Sequence, residues 1–473
     1  MEILWVGYNV LHVMELDALI LSRIQFAATI AFHILFPSFT IGLANWLMVL
    51  EWRWLKTRDD TWRRLFDFWS KVFAVSFGMG VVSGVVMSYQ FGTNWSGLTA
   101  AAGNILGPLL GYEVLTAFFL EAGFLGIMLF GWDRVGEKLH FTATCMVAIG
   151  TLISTFWIIS ANSWMQTPVG YDLVDGVFIP TDWWAIVFNP SFPLRLAHMV
   201  TAAFLTTAFT IAGISAWYVW RGDIGTGARR TFAMAVLFAG LAAPVQIIIG
   251  DFHGLDVKEY QPAKLAAMEG HWDSKESPVP LRLFAIPDAG GEKNDFEIAI
   301  PYLGSLILDH SLDGKITGLK DFDAADRPPV GIVFWSFRIM VAAGMLMALV
   351  GLVGLFLMWR GRLATTRPYL AVCMAMTPIG FIAVLAGWVT TEVGRQPYVI
   401  YGLLRTADAV SPVSAGSVAF SLAAFLIVYT IVFGAGTWYI LKLLRKGPAK
   451  AETQDSAYVR AKGPVASLTG GEH

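Results

Sequence analysis

Long apolar runs are the feature of this 473-residue sequence that most restricts its fold. Several exceed the roughly 20 residues that an α-helix needs to cross the hydrocarbon core of a bilayer. Backbone polar groups inside lipid must be paired within the chain, so such runs form helices. Only 14% of the residues are charged, against roughly 25% in soluble domains. The sequence therefore predicts an all-α, polytopic membrane protein, and its net charge of −2 gives no indication of nucleic acid binding.

The apolar pattern predicts about nine transmembrane helices. They cover residues 20–51, 69–91, 109–131, 140–162, 193–220, 231–250, 330–359, 368–391 and 415–441. The chain then divides into helices 1 to 6 (1–250), a long polar loop (251–329), helices 7 to 9 (330–446) and a polar tail (447–473). Residues 1–13 form a short apolar stretch without the basic residues of a signal peptide, and Met14 could be the initiator.

Lys and Arg are distributed unevenly between the predicted loops. They concentrate in the odd-numbered loops and after the last helix, whereas residues 92–108 and 163–192 contain neither. Cytoplasmic loops of membrane proteins carry the excess of Lys and Arg. We therefore expect the N-terminus and the even loops, including 251–329, outside and the C-terminus in the cytoplasm.

Ionisable and sulfur-bearing side chains inside the predicted helices are candidates for function, because burying them in lipid is costly. The candidates are His33, His198, Glu113, Glu121, Glu392, Arg338 and Met340. Each has an ordinary explanation when taken singly, such as a hydrogen-bonded histidine or a methionine that fills a gap. The two cysteines, Cys145 and Cys373, are interpreted as buried thiols.

Taken together, these residues match the ligands that heme iron uses, namely imidazole, carboxylate and thioether. Arg338 and Arg395 could pair with heme propionates, since a guanidinium suits a carboxylate. Zinc fits less well, because it normally takes clustered ligands. Buried carboxylates also serve as proton relays in transporters, so the residues by themselves leave heme binding and proton transport both open.

Several motifs make the prediction more specific. They are SRIQFAATIAFHILFPSFTIG (22–42), FGTNWS (91–96), GWDR (131–134), ANSWMQ (161–166), FRIM (337–340) and GWVTTEVGRQP (387–397). In order and spacing they resemble subunit I of the cytochrome bd quinol oxidase family, over roughly residues 15–445.

The resemblance implies a set of heme ligands. His198 and Met340 would ligate a low-spin heme b. His33 and Glu392 would each ligate one of two high-spin hemes, a heme b and a heme d, where the third heme could be b instead of d. Trp388 lies one helical turn before Glu392 and would pack between hemes.

The resemblance also assigns proton and quinol residues. Glu113 and Glu121 would relay protons, whereas Lys71 and Asp133 are better explained as solvated loop charges. Lys264 and Glu269, in the segment AKLAAMEG, would act in quinol oxidation: a carboxylate can accept the phenolic proton and an ammonium can steady the anion.

The loop lacks the long insertion of one branch of the family, so it resembles the short-loop branch that includes cyanide-insensitive oxidases. Phe252, His253 and Tyr398 differ from the more familiar family residues at their positions. These differences leave the preferred quinone and the third heme open.

The expected protein is a quinol:oxygen oxidoreductase of the bacterial cytoplasmic membrane. It would oxidise quinol outside and reduce O2 to water with cytoplasmic protons, without copper or proton pumping. A homologous second subunit is the expected partner, with small single-span subunits possible as well. Two alternatives are a diheme cytochrome b that only passes electrons and a proton-coupled secondary transporter.

Overall fold

The computed structural model describes residues 17–222 and 227–449. The expectations for residues 1–13 and for residues 450–473 of the tail lie outside these ranges.

Within the described ranges, nine helical segments are long and apolar enough to cross a membrane, as the sequence predicts. The helices are α1 (Ala18–Thr57), α2 (Asp60–Thr93), α3 (Ser96–Phe130), α4 (Glu137–Gln166), α5 (Trp183–Val187), α6 (Phe192–Trp220), α7 (Ala228–Tyr260), α8 (Pro262–Glu269), α9 (Leu303–Asp309), α10 (Val330–Trp359), α11 (Arg367–Ala375), α12 (Ile379–Val393), α13 (Thr406–Ala409) and α14 (Ala415–Lys446). The short helices α5, α8, α9 and α13 lie in or beside the connections, and α11 with α12 makes one span.

Several helices extend beyond the apolar runs that predicted them. α2 begins at Asp60 rather than at residue 69, with the Asp59 side chain accepting a hydrogen bond from Thr61 N. α7 continues to Tyr260 rather than ending at residue 250, so the predicted loop 251–329 starts inside a helix. Both extensions contain several charged residues, which lower their hydropathy, and hydropathy detects only the part of a helix that lies in hydrocarbon.

The largest apolar core lies at the end of the bundle that carries the Lys- and Arg-rich loops. Its fully buried side chains include Phe66, Trp69, Phe73 and Phe232. The membrane helices approach closely where small residues meet: a Cβ on Gly351 of α10 would lie 2.8 Å from the Cα of Gly240 on α7. Small residues at such crossings allow tight packing without a hydrophobic driving force.

The long connection after α7 is folded. It contains α8, α9 and an antiparallel hairpin of β3 (Leu281–Asp288) and β4 (Lys293–Ile300). Two further hairpins follow other spans, β1–β2 (Tyr171–Val174 with Val177–Pro180) and β5–β6 (Tyr398–Ile400 with Leu404–Arg405). Residues 263–269 of α8 are all buried, so this connection presents α8 to the ends of α4, α10 and α12.

Candidate active site

A buried polar cluster surrounds Glu392 at the end of α12. The Glu392 carboxylate accepts a hydrogen bond from Asn162 Nδ2 at 2.9 Å and forms an ion pair with Arg395, three residues further on. Gln166 Nε2 lies 3.4 Å from the same carboxylate. Because Asn162 and Gln166 are four residues apart, they lie on one face of α4. The C-terminal turns of α4 therefore fix the orientation of Glu392.

The same two amides bind two further cations. Arg195 of α6 donates to Asn162 Oδ1, and Lys264 of α8 donates from Nζ to Gln166 Oε1 at 2.7 Å. Three cations (Arg195, Lys264 and Arg395) thus surround one carboxylate, a net charge of about +2 if all four are ionised. Burial, and then the neighbouring Arg195 and Arg395, lower the pKa of Lys264 well below its usual value.

The cluster has unused donors. Arg195 Nε and both Nε and Nη1 of Arg395 are buried without a hydrogen-bond partner among the described residues. Buried polar groups are nearly always paired, and buried cations need counter-charge. A group that brings carboxylates into this space would satisfy both needs. Heme propionates are such carboxylates, so these residues fit the cofactor that the sequence suggested.

His198 and Met340 lie on α6 and α10. The helices α7 and α12 each pack against both of these helices. His198 is next to Gly250 of α7, where a Cβ would lie 3.5 Å from the imidazole Cε1, and its Nδ1 is buried without a partner among the described residues. A Cβ on Gly387 of α12 would lie 2.9 Å from Met340 Sδ. Small residues thus leave room around both predicted ligands.

His33 has a hydroxyl partner on α2. His33 Nδ1 lies 2.9 Å from Ser83 Oγ, and that hydroxyl is also within hydrogen-bond distance of two backbone carbonyls of its own helix, Met79 O at 3.0 Å and Gly80 O at 2.9 Å. When the hydroxyl donates to one of these carbonyls, Ser83 Oγ accepts a hydrogen bond from His33 Nδ1–H. This leaves Nε2 with its lone pair, the form of histidine that binds a metal.

Glu113 and Glu121 both face α4. Ser154 Oγ donates to Glu113 Oε1 at 2.8 Å. The Glu121 side chain packs against α4 at Gly150, where a Cβ added to the glycine would lie 2.5 Å from Glu121 Cγ. Gly150 and Ser154 are four residues apart, so the two carboxylates meet one face of α4.

A π-helical turn at Val114–Phe118 explains this alignment. In a continuous α-helix, eight residues would rotate Glu121 roughly 80° away from Glu113 at about 100° per residue. The extra residue of a π-turn does not advance the helix phase and reduces the offset to roughly 20°. Such turns often occur at functional sites.

Lys264 and Glu269 belong to two connected groups. Glu269 is buried, and Arg338 Nη2 donates to Glu269 Oε2 at 2.7 Å. Arg338 Nε also donates to the Arg282 carbonyl at 2.6 Å. The guanidinium that the sequence suggested for a propionate therefore contacts the predicted quinol carboxylate. Lys264 joins the Glu392 cluster, as described above.

The remaining predicted residues are found as follows. Trp388 is half-buried on α12, one turn before Glu392. Asp133 is exposed in the turn between α3 and α4, whereas Lys71 is exposed on α2 rather than in a loop. Sequence reasoning missed Asn162, Gln166 and Arg195. The signal for the amides was present, because ANSWMQ was one of the recognised motifs, and Arg195 is an Arg at the start of a predicted span.

Comparison with known proteins decides the family. Residues 21–448 match the family described as cytochrome bd terminal oxidase subunit I. The chain belongs to this family. Cytochrome bd ubiquinol oxidase subunit 1 of Bacillus subtilis (strain 168) is 37% identical to it, over 91% of this chain and 94% of the relative. Cytochrome bd-II ubiquinol oxidase subunit 1 of Escherichia coli (strain K12) is 35% identical, over 93% and 98%.

The bd oxidase of Geobacillus thermodenitrificans has a similar solved structure. The TM-score is 0.85 at 30% identity, covering 91% of this chain and 99% of that one. Membership of the cytochrome bd subunit I family confirms the predicted fold and the predicted enzyme class, a quinol oxidase of the cytochrome bd type. It also implies heme cofactors and a second subunit.

Proposed function

We propose that this chain is the heme-bearing subunit of a cytochrome bd-type oxidase in a bacterial cytoplasmic membrane. It oxidises quinol on the outer side and reduces O2 to water with cytoplasmic protons, without copper and without pumping. The observation that carries the proposal is the buried Glu392 cluster. Its excess positive charge and unpaired guanidinium N–H groups match a carboxylate-bearing cofactor.

In this proposal four side chains hold the hemes. His198 and Met340 ligate the low-spin heme b, while His33 and Glu392 each ligate one of two high-spin hemes, of which one is d or b. The Nε2 lone pair of His33 supports its assignment. Arg195 and Arg395 supply donors for propionates, and Trp388 packs between hemes. The hemes, when bound, supply one-electron and oxygen chemistry.

Glu269 is the proposed base for quinol. The ion pair with Arg338 orients the Glu269 carboxylate, which can accept the phenolic proton of quinol. Lys264, one and a half helical turns earlier on α8, steadies the quinol oxygen as it becomes anionic and connects the quinol site to the Glu392 cluster through Gln166. Quinol oxidation and the high-spin heme site are therefore neighbours in this arrangement.

Glu121 and Glu113 are the proposed proton relay from the cytoplasm. Their alignment on α4, and the hydroxyl of Ser154 beside Glu113, support this role. The Lys- and Arg-rich loops support a cytoplasmic location for the Trp54 and Trp62 end of the bundle. The proposed partners are a homologous second subunit and, in addition, small single-span subunits.

The first test is a dithionite-reduced minus oxidised spectrum of the purified complex, with and without CO, together with heme extraction. We expect a low-spin heme b signal and a CO-reactive high-spin heme, and the extracted pigment distinguishes d from b. A low-spin b signal alone would favour the electron-transfer subunit, and a protein without heme would favour the transporter. Family membership weighs against both alternatives.

Met340→Leu tests the ligand set. The thioether is removed while the volume is nearly conserved, so we expect loss of the low-spin heme b signal with the CO-reactive signal retained. Met347→Leu on the same helix is the matched control, because Met347 is buried in the apolar core. An unchanged spectrum in Met340→Leu would refute the assignment.

A further inference from the structure

A buried acid–histidine pair lies near the Lys- and Arg-rich end of the bundle, away from the residues assigned above. His140 Nδ1 of α4 is 2.7 Å from Glu51 Oε1 of α1, and Thr144 Oγ1 donates to Glu51 Oε2 at 2.5 Å. Glu51 and His140 are completely buried. Trp132 stacks on the imidazole with 3.8 Å between ring centroids. Burying such a pair is costly, so it calls for an explanation.

The hydrogen bond to Glu51 leaves the second ring nitrogen of His140 to be accounted for. If the Glu51 carboxylate is ionised, it accepts from His140 Nδ1–H, and Nε2 then keeps a lone pair. Nε2 is buried and has no hydrogen-bond partner among the described residues. A purely structural pair would be expected to satisfy this nitrogen as well. Asp67 of α2 interacts with His140, and Cys145 interacts with Glu51. Arg63 lies 4.6 Å from the centroid of the Trp132 ring that stacks on the imidazole, and it also interacts with Asp67.

The pair begins a polar stripe that runs the length of α4. Its members recur at intervals of four and seven residues, which keeps them on one face of a helix. They are His140, Thr144, Thr151, Thr155, Asn162 and Gln166. The three threonines are buried, although most of the surrounding side chains are apolar. Glu121 crosses α4 at Gly150, next to Thr151, and the last two members bind Glu392.

We propose that Glu51 and His140 form a proton-entry station, and that the Thr144–Thr151–Thr155 stripe conducts its protons to Glu121 and toward the Glu392 cluster. This inference rests on the proposed function, which places the Lys- and Arg-rich end in the cytoplasm and oxygen reduction at the hemes.

The transfer conserves protons at every step. A proton from cytoplasmic water binds His140 Nε2, and the imidazole releases its Nδ1 proton to Glu51 Oε1. Protonated Glu51 gives a proton to Thr144 Oγ1, which passes its own hydroxyl proton to water further along the stripe. The interval from Thr144 to Thr151 is about 10 Å at 1.5 Å per residue. The proposal requires a short file of water across this interval, and Thr151 and Thr155 keep oxygen lone pairs for such water because each donates its own proton to a backbone carbonyl.

Glu51→Gln in the full complex, reconstituted in proteoliposomes, tests the station. Glutamine keeps the shape but cannot carry a proton, so we expect quinol-dependent O2 consumption to fall about 10- to 100-fold with an unchanged heme spectrum. The loss should grow as pH rises, because proton supply then limits turnover. Glu51→Asp should restore part of the rate. A structural defect would lower the rate equally at every pH.

Two further variants make the test decisive. Glu137→Gln is the matched control, since it removes an exposed carboxylate that pairs with Arg58 at the same end of α4. Thr151→Val removes one hydroxyl of the stripe without touching the pair, and we expect a smaller, pH-dependent loss. If the Glu51→Gln complex fails to assemble, the same measurements of turnover, pH profile and heme spectrum on His140→Gln and Thr151→Val test the proposal.

The outcomes separate this inference from the proposed function. Normal turnover and a normal pH profile in Glu51→Gln would overturn the proton-entry station and leave a structural pair. The same conclusion would follow if Glu51→Gln or His140→Gln lost heme while Thr151→Val kept normal turnover. A wild-type complex without a CO-reactive heme would overturn the proposed function, and the inference would fall with it.

Discussion

The C-terminal end and the middle of α4 face polar sites of opposite character. At the Gln166 end, two amides bind one carboxylate and two cations, and a third cation pairs with the carboxylate directly. In the middle, Glu113 has a single hydroxyl partner and Glu121 lies against a glycine. Several fixed partners hold a group in one charge state and one orientation, whereas few partners permit the charge to change. The first arrangement suits a cofactor site and the second suits a proton relay.

The largest effect is expected from Glu392→Ala, which removes the central carboxylate of the Glu392 cluster. Arg195, Lys264 and Arg395 would then be buried without counter-charge, and removing one partner of a buried pair typically costs about 3–5 kcal/mol. We expect loss of one high-spin heme and of O2 reduction, measured by pyridine hemochrome content and turnover. Glu292→Gln is the control, because Glu292 is a more exposed carboxylate that pairs with the partly buried Arg327 in the connection between α7 and α10. Full heme content in Glu392→Ala would remove Glu392 from the ligand set.

Asn162→Ala should produce the next largest effect. It leaves the carboxylate in place but removes the amide that orients Glu392 and binds Arg195. Loss of such a supporting partner typically costs about 10- to 100-fold in affinity or activity. We expect a shifted high-spin heme spectrum together with reduced turnover. A change in rate with an unaltered spectrum would show that the amide acts elsewhere than on the heme site.

Glu113→Gln tests the proposed proton relay in the middle of α4. The amide can still accept a hydrogen bond from Ser154 but cannot exchange a proton, so turnover should fall about 10- to 100-fold while the heme spectra persist. Ser154→Ala should have a much smaller effect, since it removes one hydrogen bond worth about 1 kcal/mol. If Glu113→Gln instead alters heme content, the division into a fixed site and a relay is wrong.

The smallest effect is expected in the connection between α7 and α10, which carries Lys264 of the Glu392 cluster. The His271 side chain and then Arg282 lower the pKa of Glu276 to about 2, below its usual 4.5. A depressed carboxyl pKa stabilises the fold above the unfolded value, and this contribution is lost as pH falls from about 4.5 toward 2. The protection of residues 273–297 against hydrogen exchange, corrected for the intrinsic pH dependence of exchange, should therefore fall modestly on acidification over that range. Glu276→Gln should exchange faster already at neutral pH and respond less to acid.

Much of this protein could be predicted from local sequence. Apolar runs determine the nine spans because hydropathy is a property of neighbouring residues, and the ionisable side chains within those runs were visible as candidates. The motifs were long enough to indicate the family, which the comparisons confirm. The heme and quinol roles of individual residues remain predictions.

Tertiary structure alone decided which of these residues meet. Asn162 and Glu392 are 230 positions apart, and only the packing of α4 against the end of α12 joins them. The pairing of Arg338 with Glu269 links two helices that are separated by a folded loop, and no local pattern reveals it. The π-turn in α3 is likewise invisible to periodicity, because it changes the helix phase by a single residue. Hydropathy is read from a residue and its neighbours, but a hydrogen-bond partner is set by the folded path of the whole chain.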